Sequence, residues 1–214
     1  MGLSQRLGTW INGYPDGRVL RLVHRVPIPL WRLGLRRAVT GTFLILTTTG
    51  RKSGRAVHTP LMPHRMDSSV YVWCPYGDRG QWCRNVLTDP LVTVQDASGT
   101  WAAHATRPAD DAEVARLHAL LLAFDEGQLQ HYASGEGFGA SADDFVAHKD
   151  HLHVFRLDPV PEASPTPLRA DLVWVWVAAP LVATVTAAAA TYAARRRCDC
   201  ECGRRCEGGC RAEA

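Results

Sequence analysis

Nine consecutive residues, Thr47-Thr48-Thr49-Gly50-Arg51-Lys52-Ser53-Gly54-Arg55, carry the densest chemical signal in the chain. Arg51, Lys52 and Arg55 place three cations within five residues, Ser53 adds a hydroxyl, and Gly50 and Gly54 let backbone come close to a ligand. That set suits a phosphate or carboxylate held at the end of a strand. It is not a Walker loop, because the G-x-x-x-x-G-K spacing is absent. A solvated basic hairpin turn has the same composition, so the residues alone leave both readings open. A second segment, Tyr76-Gly77-Asp78-Arg79-Gly80-Gln81-Trp82-Cys83-Arg84-Asn85, is a Gly-flanked loop running into a helix start. Free N–H groups at such a start can meet an anion or a polar ring edge. Trp82 could wall an aromatic ligand and Asn85 could donate to it. Trp82 as plain core is the competing reading.

Other reactive types are weaker signals. No nucleophile–base pair can be nominated. Asp125, Glu126, His131 and Tyr132 could line an acceptor slot or sit on a surface loop, and Tyr132 is the named slot candidate. His148, His151 and His153 lie close together, and at strand spacing His151 and His153 share a face as two metal ligands might. Structural or surface roles are the alternative for all three. The two thiols of the globular part, Cys74 and Cys83, read as small buried hydrophobes in a reducing compartment. Five more fall in the last 17 residues: Cys198, Cys200, Cys202, Cys206 and Cys210. With their flanking acids they could bind a soft metal such as zinc, although the spacing is not a paired C-x-x-C site and a disordered, adventitiously reactive tail is the favoured reading.

The elements that must position these groups follow from pattern. Thr42–Thr49 is β-branched and apolar, a buried strand. Residues 50–55 are a turn, Ala56–Met66 a second strand with Pro60 and Pro63 marking an edge or bulge, and Val70–Cys74 a third. Gln81–Thr88 is a short helix stopped by Asp89-Pro90. Leu91–Gln95 and Trp101–Thr106 form a hairpin. Asp110 caps a helix over about 111–124 with Leu117, Leu120, Leu121 and Phe124 inward. Glu126–Asp144 is Gly-rich and reads as a loop with short helical pieces, and His151–Leu157 is a last strand. Short hairpin connections favour an antiparallel sheet. A parallel doubly wound fold would need crossovers the chain does not supply. The fold class is therefore mainly β (α+β): a small antiparallel barrel with a few flanking helices.

Composition bounds the rest. The 214 residues are 46% hydrophobic and 21% charged, which excludes wholesale disorder and collagen-like fibres. A net charge of +3 is too mild to argue for nucleic acid. No internal repeat and no secretory signal is evident. Residues 1–40 are Arg-rich and partly amphipathic around 17–40, where Pro27 and Pro29 break the helical pattern. Such an element can lie on an anionic membrane surface or pack on the core with Arg toward solvent.

The basic turn, the Thr59-Pro60-Leu61 word and Gln81-Trp82-Cys83-Arg84-Asn85-Val86-Leu87-Thr88-Asp89-Pro90, in this order and spacing, resemble the deazaflavin-dependent nitroreductase family. That family includes actinobacterial quinone reductases using coenzyme F-420 (an 8-hydroxy-5-deazaflavin) and has a split β-barrel fold. The resemblance runs from about Leu30 to residue 106, with a last strand near His151–Leu157. It implies that Arg51, Lys52, Ser53, Gly54 and Arg55 hold the cofactor's phosphate and acidic tail, and that Thr59, Pro60 and Leu61 run along its ring. It further implies that the loop with Pro75, Tyr76, Gly77 and Arg79 covers the ring edge, and that Trp82 and Asn85 close the pocket. Some relatives carry a basic residue where this chain has Val57, and the Tyr-rich substrate segment of the prototypes is not evident. Relatives of this barrel also bind FMN or haem. The implied activity is hydride transfer to a quinone-like or nitroaromatic acceptor, in a homodimer. The rival is a non-catalytic, membrane-anchored FMN or haem binder with a metal-binding tail.

The organisation expected is a basic segment at 1–40, a barrel domain at 41–158, a Pro-rich linker at 159–171, an apolar helix at 172–194 and an Arg/Cys-rich tail at 195–214. The 23 uncharged residues Leu172–Ala194 make a helix of about 34 Å, enough to span a bilayer. A helix docked on the barrel or in an oligomer is the alternative. More Arg follows this stretch than precedes it, which by the positive-inside rule sends the tail to the cytoplasm. The cofactor and the lack of an export signal instead put the barrel there. The expected location is the cell membrane with the barrel on its cytoplasmic side.

Overall fold

The computed structural model describes residues 25–207, with side chains through Tyr192. Seven strands form one sheet: β1 (Leu44–Thr49), β2 (Ala56–Leu61), β3 (Pro63–Met66), β4 (Ser69–Trp73), β5 (Leu91–Asp96), β6 (Gly99–Thr106) and β7 (Val154–Val160). Their order is β2-β1-β5-β6-β7-β4-β3, and every pair is antiparallel. The single strand expected over Ala56–Met66 is two strands bent at Met62. Pro63 has no N–H to offer a continued ladder, so the break falls where the sequence marked it. Because β2 and β3 are opposite rims of the sheet yet joined by one residue, the sheet must curl round on itself. The result is a split antiparallel β-barrel with flanking helices.

Period-two alternation sorts the core. Val70 and Val72 of β4 face the barrel interior with Leu44, Leu46, Val92, Val94, Phe155 and Leu157. Tyr71 and Trp73 of the same strand face outward and are covered by helices. Ile45 of β1 also faces outward, against Trp31 and Val39. These last two sit on α1 (Pro27–Arg32) and α2 (Arg36–Thr40). Pro27 does not break a helix there. It occupies the first turn of α1, where no N–H is needed. Residues 1–24 of the basic segment lie outside the described residues.

α3 (Gln81–Thr88) follows the loop after β4, and α4 (Asp111–Phe124) follows β6. The Asp110 carboxylate accepts from the Glu113 N–H at 2.8 Å, as its cap position predicts. Leu117 and Leu121 are buried as expected, but Phe124 is 41% exposed, its ring perpendicular to that of His64 with centroids 4.8 Å apart. The stretch read as a Gly-rich loop holds two helices, α5 (Glu126–Glu136) and α6 (Ala142–Ala147). Asp125 caps α5, and Leu129, Tyr132 and Ala133 bury one face of it against Trp73 and Phe145. That burial outweighs the roughly 1 kcal/mol that each of Gly127 and Gly135 costs a helix.

The last strand is displaced from its expected limits. His151 lies in a 3-10 turn (Lys149–His151) and the ladder begins at Val154, so His151 and His153 do not share a strand face. After β7 the chain is strapped to the barrel. The Thr93 hydroxyl meets Ser164 Oγ at 2.7 Å. Gln95 brackets Leu168, accepting from its N–H at 2.8 Å and donating to its carbonyl at 3.1 Å. Trp31 Nε1 donates to the same carbonyl at 3.2 Å. A second compact unit starts at Asp171 and carries α7 (Val175–Glu207), in which Val175–Tyr192 is long and apolar enough to cross a membrane.

Candidate functional site

The basic turn is built from within. Gly50 N–H donates to the Arg55 carbonyl at 2.8 Å, and Gly54 N–H to the Gly50 carbonyl at 2.7 Å. Gly54 stands at φ +64, a conformation that favours glycine. A side chain at Gly50 would press into Ser53 Oγ and the Arg55 carbonyl. Arg51 is then pinned to α3. Its backbone N–H and its Nη1 both donate to Asn85 Oδ1, at 3.3 and 3.2 Å, and its Nη2 donates to Gln81 Oε1 at 3.0 Å. Asn85, almost fully buried, uses its other end to donate to Thr48 Oγ1 at 3.1 Å. One amide thus ties β1, the turn and α3 together. Lys52 and Arg55 are exposed and form no ion pair among the described residues.

Thr59, Pro60 and Leu61 lie half-buried on β2 opposite Leu46, Ile45 and Leu44. One residue earlier, His58 Nδ1 lies 2.9 Å from Thr47 Oγ1, and burial pushes the His58 pKa down. Trp82 goes elsewhere. Its indole is 8% exposed and packs edge-on to Phe155 inside the barrel, so it is core. Cys74 and Cys83 are both buried and free. A hydrogen bond with Cys74, together with burial, pushes the Cys83 thiol up.

The loop into α3 forms a different feature. Pro75, Tyr76 and Arg79 on one side and His131, Tyr132 and Glu136 of α5 on the other enclose a cavity of about 290 Å³. Tyr132 is therefore neither in a loop nor at the surface. It is 2% exposed, with its hydroxyl 3.2 Å from His153 Nδ1, and that hydroxyl oxygen accepts from the His153 backbone N–H at 2.9 Å. Burial holds the Tyr132 phenol above its usual range. His153 Nε2 reaches Asp78 Oδ1 at 3.3 Å, and Glu136 Oε1 lies 3.8 Å from Nδ1. Gly77, at φ +52, leaves the space that the Glu136 carboxylate occupies. α3 joins the two places, since Gln81 holds Arg51 while the loop leading into Gln81 walls the cavity.

The structure brings Arg51, Asn85 and Gln81 together as one clamp and gathers Pro75, Tyr76, Arg79 and Tyr132 around one cavity. It takes Trp82 out of both. His153, Asp78 and Glu136 were not singled out as a cluster by the sequence, because their partnership spans 75 residues and no local motif encodes it. Among the described residues no group of His, Cys, Asp or Glu could hold a metal ion. The side chains of Cys198, Cys200, Cys202, Cys206 and Cys210 lie outside the described residues.

Residues 34–137 match the F420H(2)-dependent quinone reductase family. Among solved structures the chain is similar to an F420-H2 dependent reductase at 22% identity, covering 55% of this chain and 94% of that one, with a TM-score of 0.35. It is similar to a domain-swapped dimer at 21% identity, covering 68% and 100%, with a TM-score of 0.37. It is also similar to the haem storage protein HutZ of Vibrio cholerae at 18% identity, covering 67% and 98%, with a TM-score of 0.35. No curated protein matches the sequence.

Proposed function

We propose, from the premise that residues 34–137 belong to the F420H(2)-dependent quinone reductase family, that the protein is an oxidoreductase working with the deazaflavin coenzyme F-420 on a quinone-like or nitroaromatic acceptor. The observation that carries this reading is the family match falling on a turn whose cations are arranged for an anion. Arg51 is spent on rigidity, held by Asn85 and Gln81, while Lys52 and Arg55 stay exposed and without ion partners among the described residues. Such a donor set fits the phosphate and acidic tail of the coenzyme, with Ser53 and Gly54 at the same turn. Thr59, Pro60 and Leu61 would flank the ring, and Pro75, Tyr76, Gly77 and Arg79 its edge. Asn85 fixes the clamp rather than closing the pocket. Val57 offers no further cation.

When bound and reduced, the deazaflavin supplies a hydride. The chain's own work is to orient and to exclude water. Acceptor entry fits the cavity between the Pro75–Arg79 loop and α5, whose volume sits near the lower edge of small-molecule sites. Tyr76 and Tyr132 would face a flat acceptor there. The apolar Val175–Tyr192 helix supports a membrane tether, which would bring the barrel to lipid-dissolved quinones from the cytoplasmic side.

The test is a titration of the full-length protein in detergent with reduced F-420 at low salt, followed by addition of menadione. Saturable binding and oxidation of the coenzyme on adding the quinone support the reading. Absence of coenzyme binding overturns it, and binding without oxidation overturns the activity.

A further inference from the structure

We infer that the outer side of α1 and α2 is a docking surface for anionic phospholipid headgroups, and that it lays the barrel on a bilayer in one orientation. The inference rests on the membrane tether proposed above for the nearness of a bilayer. The surface itself rests on charge and exposure.

Charge is divided along the barrel's chain. Residues 25–66 hold eight cations and no acid, whereas residues 67–170 hold fifteen acids against seven cations. The mild net charge of the whole conceals this division, because the two excesses cancel. Arg25, Arg36 and Arg37 stand on or beside α1 and α2. All three are exposed, and none forms an ion pair among the described residues. Pro27 and Trp31 bury the inner side of α1, and Val39 that of α2, with Trp31 and Val39 packed against Ile45 of β1. The side turned away from the sheet also carries apolar groups. Val26, next to Arg25, is 45% exposed, and Leu35, next to Arg36, is 39% exposed. Guanidinium groups pair with phosphate through two parallel hydrogen bonds. Apolar side chains beside them suit the boundary between headgroups and acyl chains. Lys52 and Arg55, at the far end of the β1–β2 hairpin, are assigned to the coenzyme and are not needed here.

Chain connectivity selects a bilayer over other polyanions. The Leu168 carbonyl accepts from Trp31 Nε1 at 3.2 Å and from Gln95 at 3.1 Å, so the strap after β7 is fastened at α1. Six residues separate Leu168 from Val175, where the apolar span begins. The seven steps from one to the other reach at most about 25 Å. A span seated in a bilayer therefore keeps the fastening point within that reach of the membrane. An anionic leaflet attracts the unpaired arginines within about one Debye length, about 10 Å at 0.1 M salt. The same potential repels the acid-rich remainder of the barrel, so attraction and repulsion turn it the same way.

The experiment uses full-length protein in nanodiscs of phosphatidylcholine, with or without phosphatidylglycerol, and no deazaflavin. Arginines are modified with phenylglyoxal and located by peptide mass spectrometry. On phosphatidylglycerol at low salt, modification of Arg25, Arg36 and Arg37 should slow about fivefold, the partition that one Arg gains near an anionic surface. Rates should recover at 1 M salt, where the Debye length is about 3 Å. Arg116 on α4, its side chain 60% exposed, should react equally on both lipids. Replacing Arg36→Gln and Arg37→Gln together should strip Arg25 of most of its protection. Equal rates on the two lipids, protection that persists at 1 M salt, equal protection of Arg116, or an Arg25 shielded as before in the double variant would each overturn the inference. Protection by a single-stranded oligonucleotide but not by phosphatidylglycerol would hand the surface to nucleic acid and overturn it too. If the double variant does not fold, the wild-type comparison decides. If the chain does not enter the discs, flotation with phosphatidylglycerol vesicles decides. Salt-sensitive capture lost in the double variant then upholds this surface and removes the tether, and no capture overturns both.

Discussion

Asn85 is where the clamp is most exposed to a single change. Its Oδ1 takes two hydrogens from Arg51, and its Nδ2 supplies the donor that Thr48 Oγ1, fully buried, receives. Asn85→Ala deletes all three bonds. Each is worth about 0.5–1.5 kcal/mol net, and a buried hydroxyl stripped of its partner costs about 1–3 kcal/mol. Arg51 Nη1 can still turn to water, so its loss is at the low end. The expected destabilisation is about 2–4 kcal/mol. With a urea slope of about 2 kcal/mol/M, the midpoint should drop by about 1–2 M in Trp fluorescence of the full chain. Asn85→Asp keeps the acceptor toward Arg51 and loses only the donor, so about half that drop is expected. Coenzyme binding should weaken about tenfold in the Ala variant, because an Arg51 released from α3 no longer shapes the turn. A midpoint within about 0.3 M of wild type would refute the idea that this amide holds β1, the turn and α3 together.

Replacing Lys52 and Arg55 together by Gln should leave the urea midpoint within about 0.3 M, since neither has an ion partner to lose among the described residues, yet weaken F-420 binding and flatten its salt dependence; an unchanged salt slope would remove both from the coenzyme site. Gly77→Ala forces a side chain into φ +52 and against the Glu136 carboxylate, so it should cost about 1–2 kcal/mol by urea unfolding and push Glu136 away from His153; equal stability would show that the loop readjusts freely. Burial holds the His64 imidazole down to about 4, against 6.5 when unfolded. Below about 6.5 the unfolded chain therefore binds the extra proton, so stability is full above that pH and declines toward pH 4, by at most roughly 3 kcal/mol. His64→Phe should flatten the decline in urea midpoint between pH 7 and 4.5, and a decline of unchanged depth would clear His64 of it.

Local patterns were legible where one element decides its own fate. β1, the β5–β6 hairpin, α3 and α4 follow from alternation, turn residues and caps, and Pro60 and Pro63 announced the bend that Met62 makes. α5 was not legible. Its glycines read as loop, and only the Trp73 and Phe145 rings waiting above Leu129 and Tyr132 make the helix worth forming. Pro27 misled in the other direction, because a proline that ends one helix can equally begin the next. At the site, the turn's cations were visible as a run of types, but their division of labour was not. Which cation is tied down depends on Asn85, 34 residues away. His153 shows the same limit, its partners Asp78 and Tyr132 being set by how α5 and the loop meet across β7.

The join at Met62 has a mechanical consequence. β2 and β3 exchange no ladder bonds, so the rim they form is stitched by chain connectivity and by the ion pair from Arg65 of β3 to Asp96 of β5 at 3.0 Å. Widening the barrel at that slit breaks no ladder hydrogen bond, whereas widening it anywhere else unzips a ladder. Thr59, Pro60 and Leu61 stand on one lip of the slit, so the girth of the barrel can yield beside the residues proposed to flank the ring.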